Sequence, residues 1–186
     1  MALRRLLFCC FFALSSEAAV AAETPAAQTD YAWPNLTDFL KQLIAKVGAP
    51  VKVYRLTMDR DGKVDLWIQD QQRRDLVDSY EYEHGAMSEP IPVKFEHYPS
   101  IEAVDHHVIE LTTIDFQRLP GMLATAKSKL GLPDARVFRI ELERGDSHGF
   151  LTYSDIPIWT IHIDTPRHDG RVEFSLDGKV LDADKD

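Results

Sequence analysis

The residues in this chain with most chemistry to offer are its seven histidines: His84, His97, His106, His107, His148, His162 and His168. In Ile156-Pro-Ile-Trp-Thr-Ile-His-Ile-Asp164, alternation puts His162 and Asp164 on one side of a strand, with His168-Asp169 in the turn beyond. Imidazole and carboxylate at that spacing, backed by His168, are ligands that a surface metal ion could use. A solvated strand face ending in a polar turn accounts for the same residues, and metal binding is held as the alternative reading. Asp105-His106-His107 is a weaker cation site, because adjacent histidines on a strand point to opposite faces.

Acid–base catalysis needs two carboxylates, or a base and a nucleophile, converging in a cleft. Glu81, Glu83, Glu141, Glu143, Asp155 and Asp164 are available, but they alternate along strands, as solvated faces do. The chain has no Gly-x-Ser-x-Gly elbow, no His-Glu-x-x-His pair and no phosphate-binding loop. Asp59-Arg-Asp-Gly62 begins like a calcium loop but lacks the closing Glu, and reads as a hairpin turn. No catalytic residue is assigned and no cofactor is expected. The reading is of a protein that is not an enzyme.

Recognition chemistry is better represented. Gly145-Asp-Ser-His-Gly-Phe-Leu-Thr-Tyr-Ser-Asp155 mixes glycine with Phe150, Leu151 and Tyr153, and aromatics on an adaptable loop suit a protein interface. A long hairpin tucking its apolar residues onto the sheet explains the stretch equally well. Trp67, Tyr80 and Tyr82 are candidates for a second aromatic surface, with core burial the expectation for at least two of them. The candidate partner-binding residues are therefore Phe150, Leu151, Tyr153, Trp67 and Tyr82.

The elements that position these residues follow from periodicity. Leu36, Phe39, Leu40, Leu43, Ile44 and Val47 form a helical stripe, capped by Asn35 or Thr37 and stopped by Gly48 and Pro50. Strands are expected over 51–58, 63–69 and 76–83, with further candidates at 93–97 and 108–112. A helix is expected over 115–130, restarting at Pro120, followed by strands at 135–142, 156–164 and 171–177. The turn Asp177-Gly178 folds Lys179-Val-Leu181 back as a short edge.

The second half echoes the first. Val53-Tyr-Arg-Leu56 corresponds to Val137-Phe-Arg-Ile140, each following a helix that ends in Gly and Pro. Leu66-Trp-Ile68 then corresponds to Ile161-His-Ile163, with about eleven extra residues in the second hairpin. This predicts an α+β fold of two tandem units, each a helix packed on an antiparallel three- to four-stranded sheet. Helix, then strands, closing on Gly170-Arg-Val-Glu-Phe-Ser-Leu-Asp-Gly-Lys-Val-Leu181, resembles the PepSY and PepSY-like domains of secreted bacterial proteins. Doubled, over roughly 35–85 and 115–183, it resembles the tandem architecture of the β-lactamase-inhibitor-protein fold. The resemblance implies binding or inhibition of other periplasmic or secreted proteins. No inhibitory residue is carried over, because no matching inhibitory loop is present.

The N-terminus has the layout of a cleavable signal peptide over 1–22: Arg4-Arg5, an apolar run over 6–14, and a small-residue tail. The apolar run is too short to span a bilayer, and Phe8 and Cys9 precede the cysteines where a lipoprotein signal needs a small residue. Residues 23–34 read as a flexible leader, 35–112 as the first repeat with connecting strands, and 113–186 as the second. The expected location is periplasmic or secreted, without stable membrane insertion after cleavage. With 30 acidic against 21 basic residues the chain carries a formal charge of −9, which disfavours nucleic acid and favours basic partners. The expectation is a protein-binding module for another secreted protein, in an oligomeric state the sequence does not set. The alternative is a small-ligand or cation binder using the cleft between repeats with His162, Asp164 and His168. Both cysteines, Cys9 and Cys10, lie in the apolar run. The mature protein is therefore expected to melt at the same temperature with and without dithiothreitol and to show no titratable thiol.

Overall fold

Apolar alternation in successive stretches produces strands that all join one sheet. The structure, a computed structural model, describes residue 31 and residues 34–95, 99–145 and 156–186. Helix α1 (Leu36–Val47) precedes β1 (Lys52–Asp59), β2 (Val64–Gln69) and β3 (Val77–Glu83). Short pieces β4 (Ala86–Met87) and β5 (Ile91–Pro92) follow, then α2 (Ile101–His107) and β6 (Ile109–Glu110). Two 3-10 turns, Leu111–Thr113 and Phe116–Arg118, lead into α3 (Leu119–Lys129). The chain closes with β7 (Arg136–Arg144), β8 (Pro157–Asp164), β9 (Asp169–Ser175) and β10 (Val180–Lys185).

The fold is α+β, with one open antiparallel sheet in the order β10-β9-β8-β7-β1-β2-β3-β4, β5 lying on β3 and β6 on β1. The meander that follows α1 and the meander that follows α3 meet where β1 pairs with β7, Thr57 opposite Glu141. The expected three- to four-stranded sheets are thus edges of a single sheet.

Helix α1 starts because the Asn35 side chain accepts the Asp38 amide at 3.2 Å, and it stops at Gly48, where φ is 82°. It buries Phe39 and Leu43, while α3, with Pro120 in its first turn, buries Leu119, Met122, Leu123 and Ala126. Both helices belong to one core with Leu56, Met58, Leu66, Ile140, Leu142, Trp159, Ile161, Val172 and Phe174. Gly170 on β9 makes room for the end of α3. A Cβ there would stand 2.7 Å from the Leu130 Cδ1.

Two β-bulges decide which side chains face away from this core. Register shifts between Val53 and Arg55 in β1, and between Val137 and Arg139 in β7. Strict alternation would send Arg55 to the same side as Val53. The extra residue reverses the parity, so Val53 and Leu56 both reach the core and Arg55 does not. The same holds for Val137, Ile140 and Arg139.

The stretch between the halves departs from the sequence reading. Of the strand expected at 93–97, residues 93–95 are described and are not in a strand, and 96–97 lie outside the described residues. Pairing with β3 ends at Ile91–Pro92, Pro92 having no amide for the ladder, and Val93 and Phe95 turn onto a small satellite core. Only Ile109–Glu110 of the strand expected at 108–112 pairs, with Lys52 and Val53. Asp105, His106 and His107 lie on α2, not on a strand, the helix being capped by the Ser100 hydroxyl accepting the Ala103 amide at 3.2 Å.

Because the core is contiguous, its loss anywhere should be felt everywhere. Leu66→Ala in the first meander is expected to cost about 2–5 kcal/mol and Phe174→Ala in the second about 3–5 kcal/mol. Each is expected to displace one shared urea transition. Two separable transitions would show that the halves fold independently.

Candidate functional site

The side of the sheet opposite α1 and α3 carries a lattice of polar residues, read directly from the register. One cross-strand row runs Glu81, Asp65, Thr57, Glu141, Thr160, Glu173. The next runs Asp59, Arg139, His162, Arg171. Neighbours in such rows stand about 5 Å apart, close enough to pair. Arg139 Nε donates to Asp59 Oδ1 at 2.9 Å and lies 3.9 Å from Glu141, which His162 Nε2 meets at 3.1 Å. Lys63 bonds Glu81 at 2.8 Å and reaches Asp65 at 3.5 Å, and Arg171 lies 4.0 Å from Glu173. These side chains are half-buried, which stiffens them, although individual pairs of this kind add little stability.

The lattice sets two carboxyls apart. The hydrogen bond from His162, assisted by its charge and by Arg139 and Arg55, holds the Glu141 carboxyl below its ordinary value. Burial raises that of Asp65, only partly opposed by Lys63, whose shorter contact is to Glu81. Between them is a shallow depression of about 230 Å³ over the β1/β7 junction, walled by Arg55, Trp67 and Arg139. The Arg55 guanidinium carbon lies over the Trp67 ring, 4.1 Å from its centroid.

One end of this face is roofed. Tyr54, the bulged residue of β1, stacks on His107 of α2 with ring centroids 5.5 Å apart, and meets Phe95 at 5.7 Å and Trp67 at 6.3 Å. Val77, Val104 and Val108 are buried beneath. The Gln69 side-chain amide, bonded to Asp105 at 2.7 Å, ties α2 to β2. The matching bulged residue of β7, Phe138, is 38 % exposed and lies 5.6 Å from the His162 ring.

The residues singled out from sequence are distributed unequally. Trp67 belongs to this face, half-buried between Arg55 and Phe95. Tyr82 does not: it is 4 % exposed, packs on Phe39 at 5.2 Å, and donates its hydroxyl to Asp38 at 3.2 Å, so it is a core residue of the helix side. Its parity along β3, shared with Tyr80, sends both toward α1. Phe150, Leu151 and Tyr153 lie outside the described residues. His162 is held by Glu141 with Arg139 and Arg171 as register neighbours, an unsuitable setting for a cation. Asp164 pairs in register with Arg136 and Asp169, and His168 is in an exposed turn with Nδ1 3.3 Å from the Asp186 carbonyl. Among the described residues no three His, Cys, Asp or Glu side chains assemble as metal ligands. Arg55, Thr57, Arg139, Arg171 and Glu173 were not singled out from sequence. For Arg55 and Arg139 the signal was the repeated Val-aromatic-Arg-aliphatic motif, whose interrupted alternation marks both bulges.

No family model matches the chain, and no curated protein matches it. A solved structure, a putative lipoprotein from Clostridium difficile 630, is similar with a TM-score of 0.56 and 15 % sequence identity. The match covers 86 % of this chain and 97 % of that one. At that identity the likeness establishes the shared α+β fold alone. No helix among the described residues is long and apolar enough to cross a membrane.

The electrostatics carry a testable pH dependence. The folded-state pKa of Glu141 lies below its unfolded value, so its contribution is present above the ordinary carboxylate range and lost as pH falls through the folded value. Glu141→Gln is expected to flatten the fall in urea midpoint between about pH 5 and 3. Asp65 has the opposite sign, its raised pKa making ionisation a cost to the folded state, and Asp65→Asn is expected to keep or raise the midpoint at neutral pH. Wild-type slope in the first variant, or a lowered neutral midpoint in the second, would contradict these assignments.

Proposed function

We propose that the protein is a secreted or envelope-located, non-enzymatic binding module whose recognition surface is the open face of its sheet. The observation that carries this reading is a broad, half-buried lattice of charged and aromatic side chains, over whose second half no helix of the described residues lies. Such a surface is prearranged, so binding would order few side chains. Its partner is another secreted or envelope protein presenting basic side chains. The row Glu81, Asp65, Glu141, Glu173 and the chain's charge of −9 supply the complementarity, and exposed Phe138 an apolar contact at its edge.

The location rests on the signal-peptide layout of 1–22, and the relation to a putative lipoprotein agrees with it. The tandem reading belongs here as well. Each half is a helix followed by a meander, with a bulge at the corresponding aromatic residue, Tyr54 or Phe138. Thr57 and Glu141 are equivalent positions under the sequence repeat, and they are also register partners across β1 and β7. A duplicated unit paired about a local two-fold at that point accounts for both facts. It also keeps the PepSY-like and inhibitor-protein-like resemblance as part of the proposal.

The test is retention of proteins from the host's envelope and secreted fractions on the immobilised mature chain. Wild type is expected to retain one stoichiometric protein partner. Glu173→Arg with Phe138→Glu should lower its retention about tenfold or more, while Lys41→Glu on the outer side of α1 leaves it unchanged. Equal retention by all three chains, or no retained protein, would overturn the reading.

A further inference from the structure

The depression over the β1/β7 junction holds two charges of opposite sign that do not meet. Arg55 lies on Trp67, and among the described residues no carboxylate forms an ion pair with it. Asp65 is paired at 3.5 Å with a lysine whose shorter contact, 2.8 Å, is to Glu81. The other charged walls are occupied: Arg139 by Asp59 and Glu141, and Glu141 by His162. Register explains the gap. On β2, Arg55 faces Trp67 and Thr57 faces Asp65, so Arg55 and Asp65 are diagonal neighbours, about 7–8 Å apart and somewhat closer at Cβ. The cation–π contact holds the guanidinium over the indole, and its fork of N–H donors can bind a carboxylate in bidentate fashion. Thr57 and Ser79 add hydroxyls to the same walls.

We propose that this depression is a binding site for a small zwitterion of the free α-amino-acid class, its carboxylate on Arg55 and its ammonium on Asp65. A bare anion would meet Asp65 and Glu141, and a bare cation would meet Arg55 and Arg139, so a ligand carrying both charges a few bonds apart is selected over either. The volume, about 230 Å³, suits a ligand of that size and lies below the usual range for drug-sized molecules. The raised pKa of Asp65 fits a carboxylate that still lacks a full counter-charge. This site shares Asp65 and Glu141 with the protein-binding reading but does not rest on it, since it needs only the junction and not the whole face.

The experiment is calorimetry and tryptophan fluorescence on the full mature protein, titrated with each of the standard L-amino acids at constant ionic strength. Saturable binding of at least one amino acid is expected. It should weaken about tenfold or more in Arg55→Gln and in Asp65→Asn, both checked for wild-type circular dichroism and melting. The amine and the carboxylic acid matched to the best ligand should each bind about tenfold or more weakly, and Trp67→Phe should lose most of the fluorescence change. No saturable binding of any amino acid up to about 10 mM would overturn the proposal. So would matched amine or acid binding equal to the amino acid, or undiminished binding in both charge variants.

Discussion

The antiparallel pairing of β1 with β7 is the contact on which the remaining structure depends. A three-strand meander under one helix has a small core and two open edges, a poor arrangement for stability and solubility. Pairing the first strand of each meander removes one edge from both and merges their cores, so Phe39 and Leu43 from α1 and Met122 and Leu123 from α3 belong to one cluster. The outer edges are managed differently. On one side β4 and β5 cover β3, and on the other β10 carries Asp182, Asp184 and Lys185, charges that discourage pairing with another chain. The described residues contain no cysteine, and apolar burial across the junction holds them together.

The same junction organises the polar face. Because each bulge reverses the side-chain parity within its strand, Arg55 and Arg139 are delivered to the open face beside the junction instead of into the core. From there Arg139 binds Asp59 and approaches Glu141, whereas Arg55 lies over Trp67. The two halves then diverge. Tyr54 is roofed by α2 through His107, and Phe138 is left 38 % exposed. One architecture thus presents a closed aromatic end and an accessible one, with a mixed-charge depression between them.

Much of the sheet was legible from sequence because its strands are long and alternate cleanly. Trp159, Ile161 and Ile163 against Thr160 and His162 is a pattern that a one-residue slip would invert. The connection between halves was not legible. Helix α2 is seven residues long, too short for periodicity to separate it from a strand, and its stability comes from packing Val104 on Val77 and bonding Asp105 to Gln69. Tyr82 was left open between surface and core for a related reason. An aromatic residue on a half-buried strand is ambiguous until the parity is known, and parity here is fixed by Val64 across the register. The polar site was hidden by its chemistry. Arginine, threonine and glutamate on a strand look like a solvated face, and only their cross-strand neighbours show which of them are paired.

The most direct test of this account is native-state hydrogen exchange of the backbone amides in β1 and β7. If the junction joins the halves into one cooperative body, amides bonded across it exchange only through global unfolding, at the slowest rates in the molecule. If they open at lower free energy than the amides inside each meander, the halves separate while folded, and the single sheet with its open face is not the unit that functions.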